Sequence, residues 1–349
     1  MRLECIDNVR EMEVLGKSIL SDDGQILLKS GVVLTDRYLK KLKTLGVYYI
    51  YVEDERLEDV KVEDTELTEL KQCAIKSLSR VAKNVSLNGE REVKDSIEKV
   101  KSLVEYILDN KDVDKSLNDI KTYDNYTYVH CLDTSIMATF LAASLNINKD
   151  KIKELATGAV LHDVGKTKIS NKIINKTGKL TEEEFKEIRK HPIYGRDILE
   201  KKFYMSDIIL KTVSEHHERV DGKGYPYGLK GNNISKYGRI VAICDVYDAV
   251  SSDRCYRRRF SPSEAYELIL AGSGNAFDED MIMKFRNTFS VYPLGAKIRL
   301  SNGIEGYVSG QNKGYPDRPI IRVFDDYNKS SYKEIDLLKC TNVTVKGLS

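Results

Sequence analysis

All five histidines of this 349-residue chain, His130, His162, His191, His216 and His217, fall within one stretch whose apolar residues recur at helical spacing. Histidines kept for packing or solubility would be scattered. Here each stands in a segment with an acidic, glycine or proline residue: Asp163, Gly165 and Lys166 follow His162, and Pro192 follows His191. His216-His217 leads into Glu218-Arg219 and then Asp221-Gly222-Lys223-Gly224-Tyr225-Pro226, with Asp245 and Asp248 further on. Residues so placed have plausible jobs in a metal cluster. The pattern implies a metal-dependent hydrolase.

The length predicts two or three domains, with enough chain for a full hydrophobic core. The balance of 56 basic against 54 acidic residues leaves a net charge of +2. That argues against a nucleic-acid polymer as partner, which needs a concentrated basic surface. The first 20 residues mix charges throughout, unlike a signal peptide, and no apolar run approaches the roughly 18 residues that span a bilayer. The six cysteines are far apart, with no Cys-x-x-Cys, so reduced thiols in a soluble, cytoplasmic protein without membrane association are expected.

Three textures divide the chain. Residues 1–62 read as a small α/β module. Ile19-Leu20 and Ile26-Leu27-Leu28 flank a hairpin turn, Thr35 caps a short helix, Gly46 ends it, and 47–52 form a strand. From about 63 to 290 the period is helical. Leu67, Leu70, Ala74, Leu78, Val81 and Val85 make one stripe; Val93, Ile97, Val100, Val104 and Leu108 make a second. Residues 291–349 read as a small β-rich domain, with strands at 298–300, 306–308 and 320–324. The fold class expected is mainly α: a helical bundle between a small α/β module and a small β-rich domain.

His162-Asp163 ends a helix, with Gly165 as its stop. Side chains adjacent on a helix diverge by about 100°, so the pair is expected to reach two different neighbours, and one carboxylate can bridge two cations. Five imidazoles with Asp163 and Asp245 make seven ligands; with Asp163 bridging, they supply four contacts to each of two ions. Such a mixed N/O set without thiolate suits iron, manganese, cobalt or nickel better than a closed zinc site. Two such cations would lower the pKa of a water and stabilise a transferring phosphoryl group. Lys166, Arg254 and Arg257 would neutralise phosphate oxygens. Cys131 and Cys244 read as small core residues, and Asp221 and Asp248 as loop organisers.

His-Asp-Val-Gly-Lys at 162–166, His-Pro at 191–192, His-His-Glu-Arg at 216–219 and Asp-Gly-Lys-Gly-Tyr-Pro at 221–226 together resemble an HD-GYP domain, a branch of the HD phosphohydrolase superfamily. Tyr-Thr-Tyr-Val-His at 126–130, Asp-Val-Tyr-Asp-Ala at 245–249 and Asp-Arg-Cys-Tyr-Arg at 253–257 fit the same family, over about 110–290. The resemblance implies an HD-type helical bundle that hydrolyses cyclic di-GMP with iron or manganese, giving pGpG and/or GMP. Carried over by motif, the metal ligands are His130, His162, Asp163, His191, His216, His217 and Asp245. Asp163 and Lys166 are the catalytic residues. Lys166, Arg254 and Arg257 contact phosphate, and Gly222, Gly224, Tyr225 and Pro226 form the signature loop beside the substrate. Tyr126 stands where some members carry a glutamate that supports a third metal, so two ions are expected; Cys255 replaces a common proline. Two other functions fit the same residues: a non-catalytic cyclic di-GMP effector, and a phosphodiesterase for another cyclic dinucleotide such as cyclic GMP-AMP. A homodimer through the helices at 65–109 and a signalling protein partner are compatible with either.

Overall fold

The computed structural model describes all residues except 22, 61, 63, 84–89, 111–116, 118–126, 177, 252–261, 326–330 and 349. The chain divides into two compact units. One comprises Met1–Thr68, Asp114–Tyr123 and Arg286–Ser349; the other comprises Glu69–Val113 and Asp124–Phe285.

In the first unit, β1 (Arg2–Cys5) pairs antiparallel with β4 (Tyr49–Val52), and β2 (Ile19–Leu20) with β3 (Ile26–Leu28). Between them runs α1 (Asp36–Thr44), whose N-terminus is capped by Thr35 Oγ1 accepting from the Tyr38 amide at 3.3 Å. Leu39 and Leu42 of α1 pack with Leu15, Leu34, Ile50 and Val52 in a small core. The C-terminal part of this unit is a five-stranded antiparallel sheet in the order β8-β7-β6-β5-β9. Its strands are β5 (Lys297–Leu300), β6 (Glu305–Gly310), β7 (Ile320–Phe324), β8 (Tyr332–Asp336) and β9 (Val345–Leu348). The first and last segments, read separately in the sequence, lie together: Leu3 donates its amide to the Gly295 carbonyl at 2.9 Å. Buried Arg322 of β7 grips both carboxylate oxygens of Asp59 at 2.6 and 2.7 Å. A bidentate pair of this geometry orients as well as attracts.

The second unit is helical. It runs through α2 (Thr65–Lys83), α3 (Glu90–Asp109), α4 (Thr127–Ser144), α5 (Lys149–Val160), α6 (Asn171–Ile174), α7 (Glu182–Ile188) and α8 (His191–Phe203). It ends with α9 (Asp207–Glu215), α10 (Lys236–Ser251), α11 (Pro262–Ala271) and α12 (Glu279–Thr288); the first residues of α2, to Thr68, and the last of α12, from Arg286, belong to the first unit. The amphipathic stripes of α2 and α3 bury Ala74, Leu78, Val93, Ile97, Val100 and Val104. Helix α4 lies at the centre, against α3, α5 and α10, and is buried on every side from 131 to 142. Its hydroxyls are satisfied internally: Ser135 donates to the Ala156 carbonyl at 2.9 Å and Thr139 to the Ser135 carbonyl at 2.8 Å. Helix α9 packs on α5, α8 and α10. The ends of α5, α8 and α9, the start of α4 and the middle of α10 carry the motif residues. Among the described residues, no helix is long and apolar enough to cross a membrane.

Candidate metal centre

Three of the imidazoles are held in the same way. His162 lies just past α5, His191 opens α8, and His216 follows the last residue of α9. In each, Nδ1 faces the carbonyl three residues earlier: Ala159 at 2.7 Å, Ile188 at 2.8 Å and Val213 at 2.8 Å. A carbonyl only accepts, so Nδ1 carries the proton and each Nε2 keeps its lone pair. Those lone pairs converge. His191 Nε2 and His216 Nε2 are 3.2 Å apart in a buried environment, an arrangement of two acceptors that calls for a cation between them.

Among the described residues, two groups of ligand atoms take in all five imidazoles. His191, His216 and His217 make one; His130, His162 and Asp245 make the other, with ligand atoms in each group within 4.8 Å of one another. Asp163 stands between them. Its Oδ1 is 3.4 Å from His191 Nε2 and its Oδ2 is 3.6 Å from His162 Nε2. Oδ1 is buried and, among the described residues, has no hydrogen-bond partner, while Oδ2 pairs with Lys166 Nζ at 2.5 Å. The expected divergence of His162 and Asp163 along a helix does not occur. Both lie in the turn after α5, where the chain leaves helical geometry, so both reach the same cluster.

Burial pushes the His216 imidazole well below its ordinary pKa, with His217 and the other rings adding to it. Burial also lowers His191, and takes His217 down to about 3. These rings are neutral, as ligands must be. For Asp163, burial opposes ionisation, but Lys166 and then the surrounding imidazoles hold the carboxyl well below the usual carboxylate range. His130 behaves differently. Burial disfavours its charge, yet hydrogen bonds to Asp245 (2.9 Å) and Asp248 (2.6 Å) hold it up to about 10, so a cation taking this ring as a ligand has to displace its proton. The donor set, the facing lone pairs and the unpartnered Asp163 oxygen fit divalent cations.

Glycine 165 plays a part other than the helix stop expected from sequence. It sits inside a 3-10 turn, Val164–Lys168, where an added Cβ would lie 1.9 Å from the His191 carbonyl oxygen and 2.5 Å from the Gly195 nitrogen. Its role is close approach, bringing the start of α8 against Asp163. In the signature loop the two glycines divide the work: Gly222 has φ +81°, while a Cβ on Gly224 would sit 2.4 Å from the Arg219 nitrogen. Tyr225 beside Pro226 stacks on His217, ring centroids 4.6 Å apart.

Sequence reasoning missed two acidic residues. Asp248 is no loop organiser; it lies on α10 and orients His130. Its signal was its position three residues after Asp245, on the same helix face. Buried Glu218 accepts from the amides of Tyr227, Gly228 and Leu229 at 2.7, 3.1 and 2.9 Å, and so closes the signature loop. Asp221 does organise that loop, through Arg219 at 2.7 Å. Cys131, set aside as a core residue, is buried and also close to His162 and Asp163; burial pushes its thiol up. Arg254 and Arg257, with Tyr126 and Cys255, lie outside the described residues.

The family model described as HD domain matches residues 103–281, just over half of the chain. The chain belongs to the HD domain family. Proteins of this family are metal-dependent, in keeping with the cluster above. This HD domain chain is similar to a cyclic di-GMP phosphodiesterase of Pseudomonas aeruginosa, 37% identical over 209 residues, which cover 60% of this chain and 50% of the relative. A 3'3'-cGAMP-specific phosphodiesterase of Vibrio cholerae is 31% identical over 168 residues, covering 48% of this chain and 36% of the relative. The chain thus spans half or less of the length of these two relatives. A solved HDG"Y"P protein from Bdellovibrio bacteriovorus shares the fold at TM-score 0.53 and 16% identity, covering 81% of this chain and 97% of that one.

Proposed function

We propose that the protein hydrolyses the phosphodiester bonds of cyclic di-GMP, giving pGpG and/or GMP, at a centre of two divalent cations, iron or manganese. The observation that carries this reading is the pair of imidazole groups with Asp163 between them, one carboxylate oxygen turned toward each. In it His191, His216 and His217 hold one ion, His130, His162 and Asp245 the other, and Asp163 both. Two cations so held would lower the pKa of a water and offset charge on the transferring phosphoryl group. Lys166, about a third exposed and paired with Asp163 Oδ2, keeps a positive charge beside the centre that can turn to a phosphate oxygen. Arg254 and Arg257 are assigned to the same phosphate, and Gly222, Gly224, Tyr225 and Pro226 to the substrate-facing loop. The reading carries with it a cytoplasmic protein whose flanking segments set regulation, dimer formation or the choice of a signalling partner.

Hydrolysis of cyclic GMP-AMP is the second reading, favoured by the likeness to relatives named as 3'3'-cGAMP-specific phosphodiesterases. Greater identity over a longer stretch of a cyclic di-GMP phosphodiesterase puts cyclic di-GMP first. Protein loaded with manganese or, without air, iron is to be incubated with each dinucleotide and the products separated by chromatography. Linear products from cyclic di-GMP, formed faster than from cyclic GMP-AMP, are expected. Cleavage of neither would overturn both readings.

Asp248 orients His130 without being assigned to an ion. Asp248→Asn keeps the shape of the side chain but weakens the hold on the ring, and should lower metal affinity about 10- to 100-fold. Metal titration of the variant tests this; unchanged affinity would remove His130 from the ligand set.

A further inference from the structure

Beside the imidazole cluster lies a cavity of about 790 Å³, lined by His216, His217 and Tyr225 together with Val246, Leu268 and Phe277. Among the described residues three cations also line it: Arg189, Arg219 and Lys223. They are not equivalent. The Arg219 guanidinium is closed by Asp221, at 2.7 and 3.1 Å; Arg189 and Lys223 are both exposed, Lys223 on the signature loop. Arg189 is set by aromatic faces, its Cζ 4.5 Å from the Phe185 ring centroid and 5.3 Å from that of Tyr225. Among the described residues it has no carboxylate within ion-pair distance. Rings that meet the flat face of a guanidinium leave its edge, with its N–H donors, open.

Arg189 is also correctly placed for a second charge. Tyr225 stacks on His217 and its ring also meets the Arg189 guanidinium, so the guanidinium lies one tyrosine ring beyond the imidazole cluster. A cyclic dinucleotide has two phosphates on opposite sides of its ring. If one is at the centre for cleavage, the other has to be met elsewhere. We infer that Arg189 binds the phosphate that is not being cleaved, donating two parallel hydrogen bonds to its oxygens, and thereby selects cyclic dinucleotides over simple phosphodiesters. The inference rests on the reading of the site as a cyclic dinucleotide phosphodiesterase.

The test uses the full chain as Arg189→Ala and Arg189→Lys, with metal content and circular dichroism as checks of integrity. Two substrates are compared: cyclic di-GMP, with two phosphates, and bis(p-nitrophenyl) phosphate, with one. Loss of a bidentate contact to phosphate should cut kcat/KM for cyclic di-GMP about 10- to 100-fold in Arg189→Ala, mostly through KM. Lysine should restore part of it, since it keeps the charge but not the fork. The simple diester should stay within about 2-fold of wild type. Calorimetric titration of chelator-treated protein with cyclic di-GMP gives a readout without turnover, and there too the alanine variant should bind more weakly. Equal losses on both substrates, or no loss on cyclic di-GMP, would overturn the assignment. Wild type that cleaves the simple diester but neither binds nor cleaves cyclic di-GMP would overturn the functional reading and this assignment with it, and the wild-type arm alone reveals that outcome.

Discussion

Replacing Asp163 with alanine is expected to lower phosphodiester hydrolysis on the order of 1000-fold or more, about 4 kcal/mol in the barrier, and to strip metal from the protein. The size of the effect follows from position. The carboxylate lies between the two imidazole groups, with one oxygen 3.4 Å from His191 Nε2 and the other 3.6 Å from His162 Nε2. No other described carboxylate is within ion-pair distance of both rings; Asp245 reaches His162 at 3.6 Å and His217 at 3.7 Å. Removing it also leaves Lys166 without its 2.5 Å partner, and leaves the imidazoles and an ammonium together with less negative charge to balance a cation. Metal analysis alongside turnover checks both halves of the expectation. Near wild-type turnover with two ions still bound would sink the bridging assignment, whereas loss of turnover with one ion retained would assign Asp163 to a single site.

Gly165→Ala should be the most disruptive small change in the helical unit. One methyl group at this position would sit 1.9 Å from the His191 carbonyl oxygen and 2.5 Å from the Gly195 nitrogen, and both are backbone atoms that cannot swing aside as a side chain would. Either the 3-10 turn after Asp163 or the first turn of α8 has to move. The expected cost is about 3 kcal/mol of stability, at the upper end of ordinary overpacking, read as a lower midpoint in urea. Because Asp163 precedes that turn and His191 opens α8, metal affinity should fall with stability. A variant with unchanged midpoint and unchanged metal content would show that the two segments can separate without consequence for the site.

The sequence was most legible where chemistry is local. The hairpin at 19–28, the Thr35 cap and the stripes of α2 and α3 depend on residues a few positions apart, and periodicity reports such things directly. Strands β5, β6 and β7 were visible for the same reason, while β8, with three charged residues in five, and β9, interrupted by Gly347, carry no alternation strong enough to notice. The five histidines and two aspartates were picked out as ligands because imidazoles and carboxylates in motif spacing have few other uses. They converge within the helical unit.

What the linear chain determined, then, was the set of donor groups and the helices that carry them. Their orientation came only with the tertiary structure. The protonated nitrogen of His162, His191 and His216 is chosen by helix-end carbonyls, whose direction depends on where each helix stops. The use of Gly165 depends on α8 arriving against it from 26 residues away. Asp248 became an orienting group, and Glu218 a loop clasp, only when partners distant in the chain were brought within hydrogen-bond reach. The pairing of the first strand region with the last sheet is of the same kind: Arg322 needs Asp59, and nothing in either segment alone announces the other. Local propensity acts over a few residues, but contacts between distant segments depend on how the helices and strands pack, and that packing is a property of the whole fold.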